Sequence, residues 1–468
     1  MQITPTNHQF EAIQQACAWF KTASQEYVSL GSLRHMQDEI YYGSMRPGIK
    51  PGQLFRFAGY AGSGKSTCVA AMIEKMGLGT TEVMYLAPTG KAAKVLTEKL
   101  RNDGWSAGAT TIHKAIYMPQ AQKSAEIKAD LDRLDLEVEE RAKNPGSRFM
   151  FEELDDHQLQ VRRLKRENEL DDAMNSEGLS FTLKGLQNFS ETVRLIVVDE
   201  ASMVDDDIAE DLAAFNLPIL AIGDPGQLPP INGQGGFEME DAEVFLTEIH
   251  RQAAENPIIH LATLAREGEY IKPGTYGDNA RVVRRRDDQY TLDMDNDAMV
   301  LIGTHNKRYA ITTKIRDALG ITSTGPVAGE PMLMQRNSRQ HPTLVNGSIL
   351  TCMEDVGELK NGNVAFDIKL QDENHEDLQF ELKCPQCLFE EHHFKRKGAY
   401  TGQTKAVYAA KDSLEHVDWG HAITVHKAQG SEWDSVILHD ESGVFRSNKD
   451  AWLYTGITRA KEDLTIIV

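Results

Sequence analysis

The sequence predicts an α/β protein built from two parallel-sheet domains, each interrupted by an insert of different character. Three observations lead there. Apolar strand-like runs alternate with helical stretches over residues 54–118, resume at 194–224, and start again near 298 before returning at the end of the chain. Strands that alternate with helices form parallel sheets covered on both faces. Residues 120–185 are polar and helix-prone, whereas residues 326–416 contain short stretches of alternating polarity.

In order, LFRFAG is a short apolar strand, GYAGSGKS a glycine-rich loop, TCVAAMIEKM a helix, EVMYLA a strand and GKAAKVLTEKL an amphipathic helix. The leucines of AEIKADLDRLDLEVEERAK and LQVRRLKRENELDDAM recur at helical spacing and predict a helical arm; a disordered linker is the alternative. RLIVVDE and LPILAIGD resume the first domain, and AMVLIGT, DSVILHD and LTIIV supply strands of the second. SILTCMEDV, NVAFDIKL and LQFELKC, with Asn-Gly turns at Asn346-Gly347 and Asn361-Gly362, predict a small antiparallel β-barrel. The expected domains are 1–119 with 186–250, the arm 120–185, the second α/β domain 251–325 with 417–468, and the barrel 326–416. Residues 21–50 have no functional reading.

The 468 residues are 41% hydrophobic and 26% charged, as in an ordinary globular chain. No run approaches the roughly 18 apolar residues of a membrane span. The first residues lack the basic and apolar blocks of a secretory signal. Five scattered cysteines argue against a disulfide framework and for a reducing cytoplasm, that of the host if the chain is phage-encoded. A net charge of −20 disfavours a binder that holds nucleic acid over its whole surface, but allows a local channel lined by a few cations.

Gly59 to Ser66 fits the pattern G-x-x-x-x-G-K-[ST] between a strand and a helix, as a phosphate loop requires. The loop residues Gly59, Ala61, Gly62, Ser63 and Gly64, with Thr67 in the first helical turn, would turn backbone N–H groups toward phosphate oxygens. Lys65 would reach the β- and γ-phosphates, and the Ser66 hydroxyl would ligate Mg²⁺. Asp199 and Glu200 end a strand apolar enough to be buried, where paired carboxylates are costly unless they meet a cation or water. Asp199 is the expected second Mg²⁺ ligand, and Glu200 the base that orients and deprotonates the attacking water. Gln227, in GDPGQLPP, stands after a third apolar strand, where an amide can bond the γ-phosphate or the water. The transferring phosphoryl group needs cations from outside the loop, and Arg251 in LTEIHRQ and Arg459 in YTGITRAK are the candidates.

Cys384-Pro-Gln-Cys387 with His392-His393 looks like a zinc half-site. The spacing is compressed and no second C-x₂-C follows, which favours a reduced turn in the barrel.

The segments TNHQFEAI, GYAGSGKS, APTGKAAKVL, TTIHK, VVDEAS, GDPGQLPP, EIHRQ, THNKR, TVHKAQGSEW and YTGITRAK run in an order that resembles superfamily 1 helicases of the Dda and RecD type. The resemblance spans almost the whole chain except residues 120–185, and is loose from about 351 to 415. It implies two RecA-like motor domains that share one ATP, with an SH3-like barrel in the second; the helical arm at 120–185, read from its leucine spacing, interrupts the first and is the candidate strand-separating element. It implies that Gln9 reads adenine, that Arg251 and Arg459 are fingers supplied by the second motor, and that Gly430 and Glu432 link nucleotide to DNA. Contacts to single-stranded DNA would come from Pro88, Thr89 and Lys91, from Thr111 and His113, and from Thr424, His426 and Lys427. Where some relatives carry His after Thr89, this chain has Gly90. The resemblance further implies a 5′→3′ DNA helicase, working as a monomer on single-stranded and forked DNA, with replication or recombination proteins as partners. A DNA-stimulated ATPase that remodels protein–DNA complexes without separating strands has the same motor motifs. RNA is a further substrate that such contacts would accept.

Overall fold

The computed structural model describes residues 6–27, 48–143, 158–159, 162–163, 166, 181–185, 189–230, 235–247, 256–285, 298–338, 340–341, 343–358, 365–373, 377–389 and 414–468. These fall into two compact units. The larger holds the N-terminal helix, residues 48–111 and the chain from Thr192 onward; the smaller holds residues 112–191.

The strands, in chain order, begin with β1 (Leu54–Gly59), β2 (Val83–Ala87) and β3 (Thr110–Thr111). The smaller unit adds β4 (Tyr117–Pro119) and β5 (Phe181–Leu183), and β6 (Leu195–Val198), β7 (Ile219–Gly223) and β8 (Val244–Leu246) return to the larger. The first sheet has the order β3-β2-β6-β7-β1-β8, and every pairing in it is parallel. All residues of β6 and β7 are buried, as expected of central strands covered by helices on both faces. Because β6, β7 and β1 are neighbours, the segments after Val198, Gly223 and Gly59 leave the same edge of the sheet side by side.

The second sheet contains β9 (Gly274–Tyr276), β10 (Ala280–Val283) and β11 (Met299–Ile302). After an interval come β12 (Pro331–Met334), β13 (Ile349–Cys352), β14 (Ala365–Asp372), β15 (Gln379–Pro385) and β16 (Val417–Trp419), and the chain closes with β17 (Ala422–Thr424), β18 (Trp433–His439) and β19 (Ala460–Ile467). The second sheet runs β17-β11-β18-β19-β10-β9, parallel throughout except for the edge strand β9. Its core joins Leu301, Ile423, Leu438, Leu464 and Ile466 to Trp452 of the helix Lys449–Ile457 and Leu261 of the helix Pro257–Arg266.

Strands β12 to β16 form a third sheet in the order β15-β14-β13-β12-β16, antiparallel throughout. Its core gathers Met332, Met334, Leu350, Leu370, Leu382, Phe389 and Trp419. Strand β16 falls on the far side of the expected boundary at 416: Val-Asp-Trp is too short to display an alternation, and pairing with Met332–Met334 decides its place. A buried network ties this sheet to the helix His305–Ala318: the Arg316 guanidinium donates to Glu330 at 2.6 Å, and His421 lies 2.9 Å from the same carboxylate. Burial works against that carboxylate, yet its bonds to His421 and Arg316 hold its pKa below the usual value. Cys384 is fully buried in the core, which pushes its thiol well above the ordinary value. His392, His393 and the Asn361-Gly362 turn lie outside the described residues. Among the described residues no three or more His, Cys, Asp and Glu side chains group so as to hold a metal ion between them.

In the smaller unit, the helix Gln120–Lys143 buries Ile127, Leu131 and Leu134, spaced four and three residues apart on one face. Glu137 and Arg141, one turn apart, form a buried pair at 2.8 Å. Tyr117 pairs with Leu183 and Pro119 with Phe181, so a two-stranded ribbon draws the ends of residues 120–180 together.

Candidate active site

The glycine-rich loop leaves β1 at Gly59. A side chain there has no room, since an added Cβ would stand 2.6 Å from Ser63 Oγ and 3.0 Å from Leu246 Cβ. Gly62 and Gly64 adopt φ of +77° and +83°, a region that favours glycine, and Gly64 caps the helix Lys65–Lys75. The loop therefore delivers its backbone to a helix N-terminus, as phosphate binding requires. Lys65 Nζ donates to the carbonyls of Gly59 at 2.5 Å and Tyr60 at 3.1 Å and lies 4.0 Å from Asp224 Oδ2. Thr67 is exposed in the first helical turn.

Asp199 and Glu200 follow β6. Glu200 is held at φ +53°, an uncommon backbone for a residue with a side chain and one that clusters at functional sites. Its amide donates to Asp199 Oδ1 at 3.0 Å. Burial and the neighbouring Asp199 charge push the Glu200 carboxyl pKa upward, while Arg459 and Lys65 pull it down. The charges of Asp199, Lys65 and Arg459 thus all act on the Glu200 carboxyl. Gln227 follows β7, and its Oε1 is buried without a hydrogen-bond donor, which is costly unless something external donates to it.

The second sheet reaches this edge through the helix Lys449–Ile457 and the residues after it. Arg459 is buried and donates to Thr455 O at 3.0 Å, Ser431 O at 3.0 Å and Thr458 Oγ1 at 3.1 Å. Thr455 Oγ1 accepts from Leu228 N–H at 2.9 Å, and Gln429 donates to Leu228 O at 3.2 Å. Arg251 lies outside the described residues.

Gln9 is buried on the N-terminal helix Asn7–Glu26. Its amide donates to Ser63 O at 3.1 Å, and its Oε1 accepts from Thr6 N–H at 3.0 Å in a capping box. Both ends of the side chain thus engage protein, one of them the phosphate loop itself.

Asp224 and Tyr454 are site residues that sequence reasoning missed. Asp224 Oδ2 accepts from the Tyr454 hydroxyl at 2.7 Å, and that hydroxyl accepts from Ala61 N–H at 2.9 Å. The signal was available for Asp224: like Asp199, it is a carboxylate set just past a strand buried on both faces. Nothing in the sequence pairs Tyr454 with Ala61, which lies almost the whole chain away.

A family model described as an AAA domain matches residues 49–287, just over half of the chain. A second, described as a UvrD-like helicase C-terminal domain, matches residues 420–467. The chain belongs to the AAA-domain family, as a superfamily 1 helicase of the Dda and RecD type. It is 26% identical over 428 residues to the ATP-dependent RecD2 DNA helicase of Deinococcus radiodurans, a match that covers 88% of this chain and 46% of the relative. An uncharacterized protein of Methanocaldococcus jannaschii is 23% identical, with 88% of this chain and 36% of that protein covered. The chain thus spans less than half the length of the curated relatives it matches. Among solved structures, the Pif1 helicase of Candida albicans superposes with a TM-score of 0.43 at 14% identity, covering 99% of this chain and 95% of that one. The Bacteroides Pif1 helicase in complex with ADP-AlF3 and ssDNA gives 0.39 at 16% identity, covering 93% and 90%.

Away from the nucleotide edge of this helicase-family chain, the residues expected at DNA are held largely by protein. Thr89 caps the helix Gly90–Asn102, its hydroxyl accepting from Ala92 N–H at 3.2 Å, and Pro88 before it is half-buried. Lys91 Nζ lies 4.6 Å from the centre of the Trp433 ring, and burial lowers its pKa to about 8. Thr424 is a buried cap that accepts from Lys427 N–H at 3.4 Å. Lys427 Nζ donates to Gln335 Oε1, and burial, reinforced by the Arg308 charge, lowers its pKa to about 8. Burial also lowers the pKa of His426, whose ring lies 5.3 Å from Phe445. Thr111 ends β3 and is half-buried. His113, in the smaller unit, is exposed and 5.4 Å from the Tyr117 ring. Gly430 has φ +72° and leaves 2.8 Å between an added Cβ and Ala92 Cβ, while Glu432 is exposed. At Gly90, an added Cβ would stand 2.5 Å from Val345 Cβ. The connection between β12 and β13 thus lies against Gly90. Among the described residues no helix is long and apolar enough to cross a membrane.

Proposed function

We propose that the protein is an ATP-dependent DNA helicase that travels 5′→3′ along single-stranded DNA and unwinds duplex ahead of it. The observation that carries this reading is that the second parallel sheet reaches the strand ends of the first: Tyr454 bonds Ala61 in the phosphate loop, Thr455 bonds Leu228 beside Gln227, and the Arg459 charge acts on Glu200. A site gripped from both sides has different affinity for a triphosphate in open and closed arrangements, so hydrolysis moves one domain against the other. The name of the Deinococcus relative, an ATP-dependent RecD2 DNA helicase, supports DNA as the track, and the Dda and RecD resemblance supports the direction.

In this reading Lys65 holds the β- and γ-phosphates. Glu200, with its raised pKa, is suited to take a proton from the attacking water. Gln227 Oε1 receives the donor it lacks, and Arg459, with Arg251, offsets charge on the transferring group. A magnesium ion would be held by Ser66 and Asp199, and when bound it neutralises charge on the phosphate oxygens. The strand-end carboxylates and the crowded, glycine-dependent loop fit that pair of ligands. Gln9 reads the base and at the same time steadies the loop; Gly430 and Glu432 carry nucleotide state to the track. Pro88, Thr89, Lys91, Thr111, His113, Thr424, His426 and Lys427 contact the strand. The third sheet is the SH3-like insert, and the arm within 120–185 is the strand-separating element.

Unwinding of paired 5′-tailed and 3′-tailed forked duplexes with ATP is the test. Unwinding of the 5′-tailed substrate alone is expected. ATP hydrolysis stimulated by single strands without displacement of either duplex would replace this reading with that of a remodelling translocase.

A further inference from the structure

Tyr454 stands on the helix Lys449–Ile457 of the second parallel sheet and is 1% exposed, yet its hydroxyl operates inside the phosphate loop of the first. It accepts from Ala61 N–H at 2.9 Å and donates to Asp224 Oδ2 at 2.7 Å. Asp224 is equally buried, accepts from Gly226 N–H at 3.0 Å and faces Lys65 Nζ at 4.0 Å. The phenol ring is boxed in. It meets Tyr60 edge-on at 6.5 Å, and a Cβ on Gly226 would stand 3.0 Å from its Cε1. The Arg266 guanidinium closes the same corner, 3.5 Å from the centre of the Tyr60 ring. The next residue, Thr455, holds the backbone of Leu228, adjacent to Gln227. Two successive residues of one helix therefore grip the phosphate loop and the loop that carries Gln227.

A phosphate loop works by offering N–H groups to oxygens, and an N–H that donates to a phenol is withheld from a phosphate. We propose that Tyr454 is a positioning residue that competes with the triphosphate for the Ala61 amide and passes its release, through the helix it shares with Thr455, to the Gln227 loop. The inference rests on the reading of this loop as a triphosphate site. Because the ring is enclosed on several sides, the hydroxyl cannot leave Ala61 by a simple rotation. It leaves when the helix shifts, and that shift bears on the Thr455 contact with Leu228.

Tyr454→Phe keeps the ring and removes the hydroxyl. In the full chain, without DNA, binding of a fluorescent non-hydrolysable ATP analogue is expected to tighten about fivefold, the scale of one net hydrogen bond. The stimulation of ATPase kcat by single-stranded DNA is expected to fall about tenfold. A structural role alone would lower the melting temperature and weaken both. Asp224→Asn, which leaves the Ala61 contact but removes the charged acceptor, should act in the same direction and add nothing to Tyr454→Phe in the double variant. Unchanged or weaker analogue binding in Tyr454→Phe, or full additivity with Asp224→Asn, overturns the inference while leaving the site intact. Failure of the unsubstituted protein to bind the analogue would overturn the nucleotide reading itself and this inference with it.

Discussion

At the phosphate-loop edge, charged and polar groups follow three neighbouring strand ends: Lys65 after β1, Asp199 and Glu200 after β6, Asp224 and Gln227 after β7. At the loops expected to hold DNA the corresponding groups turn to protein. Lys91 covers Trp433, Lys427 bonds Gln335, and Thr89 and Thr424 cap helices. The strand-end groups of the first region are brought together by the register of one sheet, and the second sheet adds Tyr454 to them. The second region is assembled where segments of different sheets meet: Ala92 lies against Gly430, and Gly90 against Val345 in the connection between β12 and β13. Chemistry at a strand end is thus fixed locally, whereas a groove between domains depends on how far apart they stand.

The largest effect expected from this contrast lies at the nucleotide edge. Lys65→Ala should reduce DNA-stimulated ATPase at least a hundredfold in a protein that melts normally; ordinary turnover would place the site elsewhere. Arg459→Ala should lower kcat by about a thousandfold while analogue binding changes far less, because Arg459 acts on charge that develops during transfer. Equal losses in both would reduce it to a packing residue, consistent with its three bonds to neighbouring oxygens.

At the domain meeting point, effects should appear in stability first. Gly90→Ala puts a methyl group 2.5 Å from Val345 Cβ and should cost about 1–3 kcal/mol, seen as a lower melting temperature that Val345→Gly, which removes the facing Cβ, partly restores. A neutral Gly90→Ala would mean that the connection between β12 and β13 gives way freely there.

The smallest effect is a pH dependence. Lys91 and Lys427 have pKa values lowered to about 8, so both are mainly cations at pH 7 and mainly neutral at pH 9. A phosphate neighbour would raise those values, so DNA binding should take up protons near and above pH 8. Affinity is then fully present below about pH 8 and declines as pH rises through the values in the complex. The slope of log affinity against log salt should shrink by up to about 1.4 for two single-strand contacts, measured by anisotropy titrations at pH 7 and 9. A slope independent of pH would remove both lysines from the phosphate path.

How much was legible follows the same division. The strands LFRFAG, LIVV and ILAIG announce themselves as apolar runs, and the residues after them carry the carboxylates and amide of the site. The helix Gln120–Lys143 was visible from its leucine spacing. The edge strand β9 and the three-residue β16 were not, because so short a segment has no periodicity and joins a sheet only through a partner far away in sequence. Tyr454 was hidden for the related reason that its role lies in a bond to Ala61. Gly90 read as a missing contact, and only the presence of Val345 gives it a physical cause.

The bond from Gln9 to Ser63 O bears on how the protein can be cut. The matched AAA segment starts at residue 49, which invites a minimal fragment beginning there. Such a fragment would lose the helix Asn7–Glu26, whose Ala12, Ala16 and Phe20 pack into the core beneath the first sheet, and with it the Gln9 side chain that buttresses Ser63 from outside the loop. A fragment that keeps this support would therefore begin no later than Thr6, some forty residues upstream of where sequence matching alone would place the scissors.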